Sequence, residues 1–360
     1  MPRTTPPRGP RHERGQVLAI TAILLAVIGG FAALAIDLGS YSADRRDLQN
    51  AADAIALAAS QELPNGDSAH GAANSWAIKN DISPSDMTVT VTQQNWQGTP
   101  NPMVKVTIAR PHDFTFARLI GIQSTDVSAT ATSIKTSPAG GDGVIPLSVT
   151  EERLASATYG SEVVLKYDAN NIEQGNTSPI RIDGPGSGNC GDSDRYCSGL
   201  EYGSENAVCA AGADDTYCSG VSVVDTEPGN KVGATRTAMN YRLDITDSNC
   251  NSFGEVFEDD PTTNEAGVYS IVQGCNPFLA SGYSSGRVLI IPVIDSLCNG
   301  SCSVTITNFA LFYLERIGDG GCTGNECEVV GRFVRVSQNV GLLAGTYNAN
   351  ASIQFVRLVQ

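Results

Sequence analysis

The sequence predicts an α+β protein: a transmembrane helix continuing into a helical stretch packed on a small antiparallel sheet, then a β-rich, disulfide-stapled, sandwich-like domain. Three observations carry this. Gly15 to Ile36, "GQVLAITAILLAVIGGFAALAI", holds no charge over 22 residues, and a helix of that length spans roughly 30 Å, the thickness of a bilayer core. Met87 to Thr136 contains three runs of alternating polar and apolar residues, the pattern of half-buried strands. Beyond residue 143, short apolar runs recur between Gly, Asn and Pro turns, and ten cysteines lie among them.

Residues 1–14 are a basic, proline-rich tail, with Arg3, Arg8, Arg11 and Arg14 against one acid, Glu13. The span covers 15–37. A cleaved secretory signal competes with it, "AALA" serving as the cleavage site. Signal cores run about 7–15 residues, however, and here the helical pattern continues past the apolar run, so a retained anchor is expected. The arginines before the span and Asp37 after it set the N-terminus in the cytoplasm and the bulk of the chain outside it. Asp37 reads as a boundary acid where the span meets water.

Residues 38–136 follow as one α+β region. Gly39 is expected to loosen the helix before Ser42–Leu63 resumes it. Leu48, Ala52, Ile55, Ala59 and Leu63 recur at four- and three-residue steps as an apolar stripe, with Asp44, Arg45, Arg46, Asp47 and Asp53 on the other faces. Pro64 and Gly66 end the helix, and Asp67 or Ser68 begins a short second one. "MTVTVTQQNW" (87–96) and "MVKVTIAR" (103–110) form a hairpin, "FTFARLIGI" (114–122) reads as a short helix, and "TDVSATATSIKT" (125–136) is a third strand. So small a sheet must cover one face with a helix, and the Leu48–Leu63 stripe is the available partner.

"SPAGGDG" (137–143) reads as a linker by composition. Residues 144–360 are the β-rich domain, whose expected strands include "NYRLDIT" (240–246) and "ASIQFVRLV" (351–359). An internal echo, "DRYCSG" (194–199) and "DTYCSG" (215–220), marks a cysteine-rich insertion.

The formal charge is −15; the tail holds +3, so the rest carries −18. A body that acidic repels phosphate backbones, which sets nucleic acid aside as a partner. All ten cysteines, Cys190, Cys197, Cys209, Cys218, Cys250, Cys275, Cys298, Cys302, Cys322 and Cys327, lie in the exported part and read as five disulfides. Cys298–Cys302 and Cys322–Cys327 are close enough in sequence for local loops. Zinc is the competing reading, but no CxxC pair occurs, and His12, His70 and His112 lie far from the cysteines in sequence.

No catalytic constellation emerges. His70 and His112 lack a GxSxG partner, and His112, after Pro111, reads as a surface residue. "GPGSGNCGDSD" (184–194) lacks the Lys-Ser/Thr ending of a phosphate loop. Asp183, Asp192 and Asp194 lack EF-hand spacing. The acid groups "ADD" (213–215) and "EDD" (258–260) read as solvated loop charges. The expectation is a protein without metal, cofactor or enzymatic activity.

Residues 14–60 resemble the N-terminal segment of TadG/TadE-like proteins of Flp (tight-adherence) pilus assembly. In that pattern Arg-Gly opens an apolar helix, Ala-x-Asp closes it, and Leu-Gln-Asn-Ala-Ala-Asp-Ala-x-Ala-Leu-Ala follows. Here these are Arg14-Gly15, Ala35-Ile36-Asp37, and the run from Leu48, Gln49, Asn50, Ala51, Ala52 and Asp53 to Ala58. Residues 224–244 and 287–316 are similar to C-terminal parts of longer members. The resemblance implies a minor-pilin-like, non-catalytic structural or assembly protein, single-pass in a bacterial membrane, with 38–136 a pilin-like region. Its implied partners are the lipid bilayer, other Tad/Flp pilus components or pilin-like subunits, and copies of itself through the N-terminal helix. It gives Asp37 and Asp53 an assembly role, against the plainer reading of helix-surface charges. Processed pilin-like members carry a glutamate five residues after the cleavage glycine. Counted from Gly15 that position is Ile20, so the anchor is expected to be permanent. The alternative function is an anchored extracellular adhesin or binding module built on the β-rich domain.

Overall fold

The computed structural model describes residues 14–96, 99–166, 178–184, 189, 194–213, 218–263, 265–279, 285–298, 300–318, 322 and 327–359. The basic tail up to residue 13, Cys190, Asp192 and the acids of 214–215 lie outside them.

One helix, α1 (Arg14–Gln61), runs unbroken for 48 residues, a rod of about 72 Å. The loosening expected at Gly39 does not occur. A lone glycine costs a helix only about 1 kcal/mol, and the turns on either side of it are tied to the sheet, as described below. From Val17 to Ile36, α1 is exposed at every residue except the half-buried Ala33. Its most apolar 18-residue window has a mean hydropathy of 2.6 with none of it buried, which makes it long and apolar enough to cross a membrane. The second half buries the expected stripe, with Leu48, Ala52, Ile55 and Ala59 fully inaccessible.

A second helix, α2 (Gly66–Lys79), starts one or two residues earlier than expected, because Asn65 caps it by accepting from the Ser68 N–H at 3.1 Å. Its buried face is Ala69, Ala73 and Ala77, one alanine per turn, which lets it lie close against α1 within one core. Strands β1 (Met87–Trp96), β2 (Thr99–Asp113) and β3 (Ser124–Thr136) pair antiparallel in that order. Val104, Val106 and Ile108 of β2 and Val127, Ala129 and Ala131 of β3 supply the sheet's share of the core under α1. The short helix expected within 114–122 is a single 3-10 turn, Ala117–Ile120.

The remaining elements are β4 (Pro138–Gly141), β5 (Val149–Thr150), α3 (Glu151–Ser156), β6 (Glu162–Lys166), α4 (Arg195–Tyr202), β7 (Val208–Cys209), β8 (Val223–Asp225), α5 (Val232–Asp244), α6 (Phe253–Val256), β9 (Phe257–Asp259), β10 (Val268–Ile271), β11 (Val288–Ile294), β12 (Ser303–Ile317), β13 (Val329–Val336), β14 (Leu343–Ala344) and β15 (Phe355–Val359). A mixed sheet runs β5-β11-β12-β13-β10-β9, with β6 on β13 and β8 on β12.

Both faces of this sheet are buried, which explains the near-continuous apolar runs of β11 and β12. One face packs Ile290, Ile306, Phe309 and Leu311 with Val208, Leu342 and Ile353. The other packs Leu289, Ile291, Ala310, Phe312 and Leu314 with Leu200 of α4 and Ala238 and Met239 of α5. A bulge between Val293 and Ile294, where Thr307 has no partner in the register, switches the facing of β12 from even to odd positions.

Three expectations are corrected here. "NYRLDIT" is the end of helix α5, whose buried Thr235, Ala238, Met239 and Arg242 follow helical, not alternating, spacing. Residues 138–141 of the expected linker form a buried strand between β14 and β7. It fits because of its small residues: Gly140 has φ +151, and a Cβ there would meet the Val208 carbonyl oxygen at 2.2 Å. Finally, β15 leaves the C-terminal domain and pairs with β3, becoming the fourth strand of the sheet under α1.

Disulfides join Cys209 to Cys218, Cys250 to Cys275, Cys298 to Cys302 and Cys322 to Cys327. The last two are the expected local loops. Cys197 is also disulfide-bonded. The two copies of the sequence echo are not alike: residues 194–199 enter α4, whereas 218–220 lie outside any helix or strand.

Gly140→Ala combines an unfavourable φ with overpacking, so it should destabilise the protein by about 1–3 kcal/mol. Thermal unfolding followed by circular dichroism checks this.

Candidate functional site

The stripe that buries Leu48 continues toward the N-terminus as Asp44, Tyr41 and Asp37, at steps of four, three and four, so these polar residues face the sheet as well. The row of β2 that carries Val104, Val106 and Ile108 continues by the same alternation as Arg110 and His112. Because β2 runs opposite to α1, the two polar ends meet. Arg110 pairs with Asp44 through Nη2. His112 Nδ1 donates to Asp44 Oδ2 at 3.0 Å, and its Nε2 lies 3.3 Å from Ser40 Oγ. Tyr41 and Phe114 stand edge-on to the imidazole at 5.6 and 5.4 Å.

One further turn back, the Asp37 carboxylate accepts from three successive backbone N–H groups. Thr115 donates at 2.9 Å, Phe116 at 3.0 Å and Ala117 at 2.6 Å. Asp37 thus caps the 3-10 turn Ala117–Ile120 from another element, satisfying donors that a turn's start leaves free. It is 4% exposed, so the boundary acid is not a solvated one. His112 at 9% exposed is not the expected surface residue, and Asp44 belongs to the sheet-facing side of α1.

At the far end, Lys135 of β3 donates from Nζ to the carbonyls of Gln61 at 2.8 Å and Leu63 at 2.9 Å, capping the C-terminus of α1. Its pKa is lowered, because burial disfavours the ammonium; nearby Glu265 and Glu62 counter part of that effect. The matched pair of caps, carboxylate on N–H groups and ammonium on C=O groups, fixes α1 on the hairpin at both ends.

The motif residues divide by face. Arg14 and Gly15 open α1. Leu48, Ala51 and Ala52 are buried in the core. Gln49 donates to Asp53 at 2.8 Å and to the Thr130 carbonyl at 3.2 Å, and the two line an open groove of about 520 Å³ with Lys105 and Leu358. Asn50 points to solvent.

Elsewhere, Asp194 caps α4 through the Cys197 N–H at 3.0 Å, and Asp183 is an exposed side chain 4.0 Å from Arg195. Asp260 is buried and accepts from Thr262 and Ser337, unlike the solvated charge expected. The pocket lined by Ala139, Asn308 and Tyr347, about 520 Å³, contains no carboxylate, histidine or lysine. Among the described residues no three His, Cys, Asp or Glu side chains stand together as a metal site would require.

Residues 15–62 match the family described as putative Flp pilus-assembly TadE/G-like, so the chain carries a TadE/G-like segment. That segment is α1 almost end to end, with its exposed apolar stretch, Asp37, Asp44 and the buried stripe. No curated protein and no solved structure matches the chain.

Asp44 is held below the ordinary aspartate range: desolvation pushes its pKa up, but hydrogen bonds from Arg110 and His112, together with their charge, outweigh it. A carboxylate lowered on folding stabilises the fold above its unfolded pKa, about 3.9, and loses that contribution as pH falls through the folded value. Asp44→Asn should therefore lower Tm at neutral pH, and the gap to the parent protein should close as pH falls below about 4. Melting curves in detergent across pH 2–7, roughly the window in which carboxylates titrate, read this directly.

Proposed function

We propose that the chain is a non-catalytic, minor-pilin-like assembly protein of a Flp/Tad pilus system, anchored by the first half of α1 with its N-terminus in the cytoplasm. The observation that carries this reading is the coincidence of the TadE/G-like match at 15–62 with one unbroken helix that leaves an exposed apolar stretch and enters a sheet. A flexible tether would let the outer body swing freely. A helix tied to the sheet and its hairpin at Asp37 and Lys135 instead transmits position from the membrane to the body, as an assembly component needs.

The arginines ahead of the span support the orientation. The disulfides support an oxidising compartment for the C-terminal domain. The partners implied are the bilayer and other pilus components. Asp37 and Asp44 act by holding the body on the anchor, and Asn50, with its side chain in solvent, is the motif residue free to meet a neighbour.

A clean deletion should abolish or shorten surface Flp fibres, counted by electron microscopy, with restoration by the intact gene. Normal piliation in the deletion strain would refute the assignment. Asp37→Ala, which leaves three N–H groups without their acceptor, should restore fibres less well than the parent at equal protein level.

A further inference from the structure

The connection between β2 and β3 carries large apolar side chains that the other described residues leave uncovered. Phe116 is 37% exposed, Leu119 84%, Ile120 78% and Ile122 50%. A cluster of this kind marks a contact surface when it is held in shape. This one is held. Phe114 N donates to the Gln123 carbonyl at 3.0 Å and closes the neck, while Ile122 N donates to Ala117 at 3.1 Å. Gly121, at φ +93, makes the reversal that a larger residue resists.

The position of the tip says what covers it. Its leading N–H groups are fixed to Asp37, the residue after Ile36, where the charge-free stretch of α1 ends. Since β2 runs opposite to α1, the hairpin points back along α1 toward the span and carries its apolar side chains to the level of the apolar helix surface. Arg118 is the single charged residue in 114–122, and it pairs with Asp113 at 3.0 Å while both remain exposed.

We propose that this hairpin tip is a second membrane contact: Phe116, Leu119, Ile120 and Ile122 enter the interface of the bilayer that α1 crosses, with Arg118 among the headgroups. The proposal rests on the anchored reading above. Interfacial apolar elements enter about 5–10 Å, and the tip's rigid attachment at Asp37 sets that depth. One helix crossing a bilayer is free to tilt and rotate about its axis. A second contact to one side of it fixes both, and so fixes the face that the outer body presents.

The test uses the full chain in phosphatidylcholine vesicles whose lipids are brominated either near the headgroup or deep in the acyl chain. Leu119→Trp and Leu25→Trp are compared with the parent, whose own tryptophans, Trp76 and Trp96, set the background. The added fluorescence of Leu119→Trp should be lost mainly to shallow bromine, and that of Leu25→Trp mainly to deep bromine. If Leu25→Trp is quenched and Leu119→Trp is quenched by neither lipid, the proposal is overturned. A blue-shifted, unquenched Leu119→Trp would then indicate a protein neighbour such as a second copy. If neither variant is quenched, the anchored reading fails and the proposal with it. Ile120→Trp, also highly exposed, serves as the second probe should Leu119→Trp fail to fold.

Discussion

One helix has to satisfy two environments, and the rest of the structure follows from that constraint. The first half of α1 is apolar on every side, so it needs a surrounding without water; the second half is apolar along one stripe, so it needs a sheet. Between them there is room for only a turn or two of transition, and that transition is where Asp37, Tyr41 and Asp44 stand. Their placement solves a local problem. The hairpin end under α1 has backbone donors without partners, and a carboxylate projecting from the helix supplies them. At the other end the helix has carbonyls without partners, and Lys135 projecting from the sheet supplies those. Helix and sheet complete each other's termini, so neither can shift along the other without losing hydrogen bonds at both ends.

This arrangement also explains which parts of the fold could be read in the sequence. The stripe from Leu48 to Leu63 was legible because its period is helical and its residues are apolar. The same period carried back from Leu48 reaches Asp44, Tyr41 and Asp37, but a search for apolar recurrence passes over polar residues. His112 was hidden in the same way: the alternation of Val104, Val106 and Ile108 continues to it, and parity alone would have placed it under α1. The helix at Val232–Asp244 was misread because "YRLDI" alternates in polarity over five residues, while its buried positions recur over eight. The strand at Pro138–Gly141 was illegible for a different cause. Glycine and proline ordinarily signal turns, and only the close approach of Val208 and Cys218 shows why small residues are required there.

That strand changes how the two halves of the chain relate. Instead of a tether between an N-terminal unit and a β-rich domain, residues 137–141 are built into the second while adjoining the first. Gly345 N donates to Ser137 at 2.7 Å, and Asn101 accepts from Tyr347 at 2.6 Å. The chain then returns through β15 to flank β3. Two crossings and these hydrogen bonds join the helix-supported sheet to the C-terminal domain.

A consequence concerns how copies of such a protein can meet. By composition alone, the alanine-rich face of α1 suits a neighbouring helix as well as the chain's own sheet. In the fold Ala51, Ala52, Ala56 and Ala59 are already packed against β2, β3 and α2. Docking a second helix on this stripe would strip the sheet from it and expose Val104, Val106 and Ile108 as well as the helix face. Association that keeps the fold therefore has to use surfaces other than this stripe. In the apolar first half of α1, no described atom beyond the helix's own backbone lies within 4 Å of the position a Cβ would take at Gly29 or Gly30, which allows the backbone of another helix to approach closely. The two halves of α1 thus divide the work. The second half packs its small residues into the chain's own core, and the first half leaves Gly29 and Gly30 exposed.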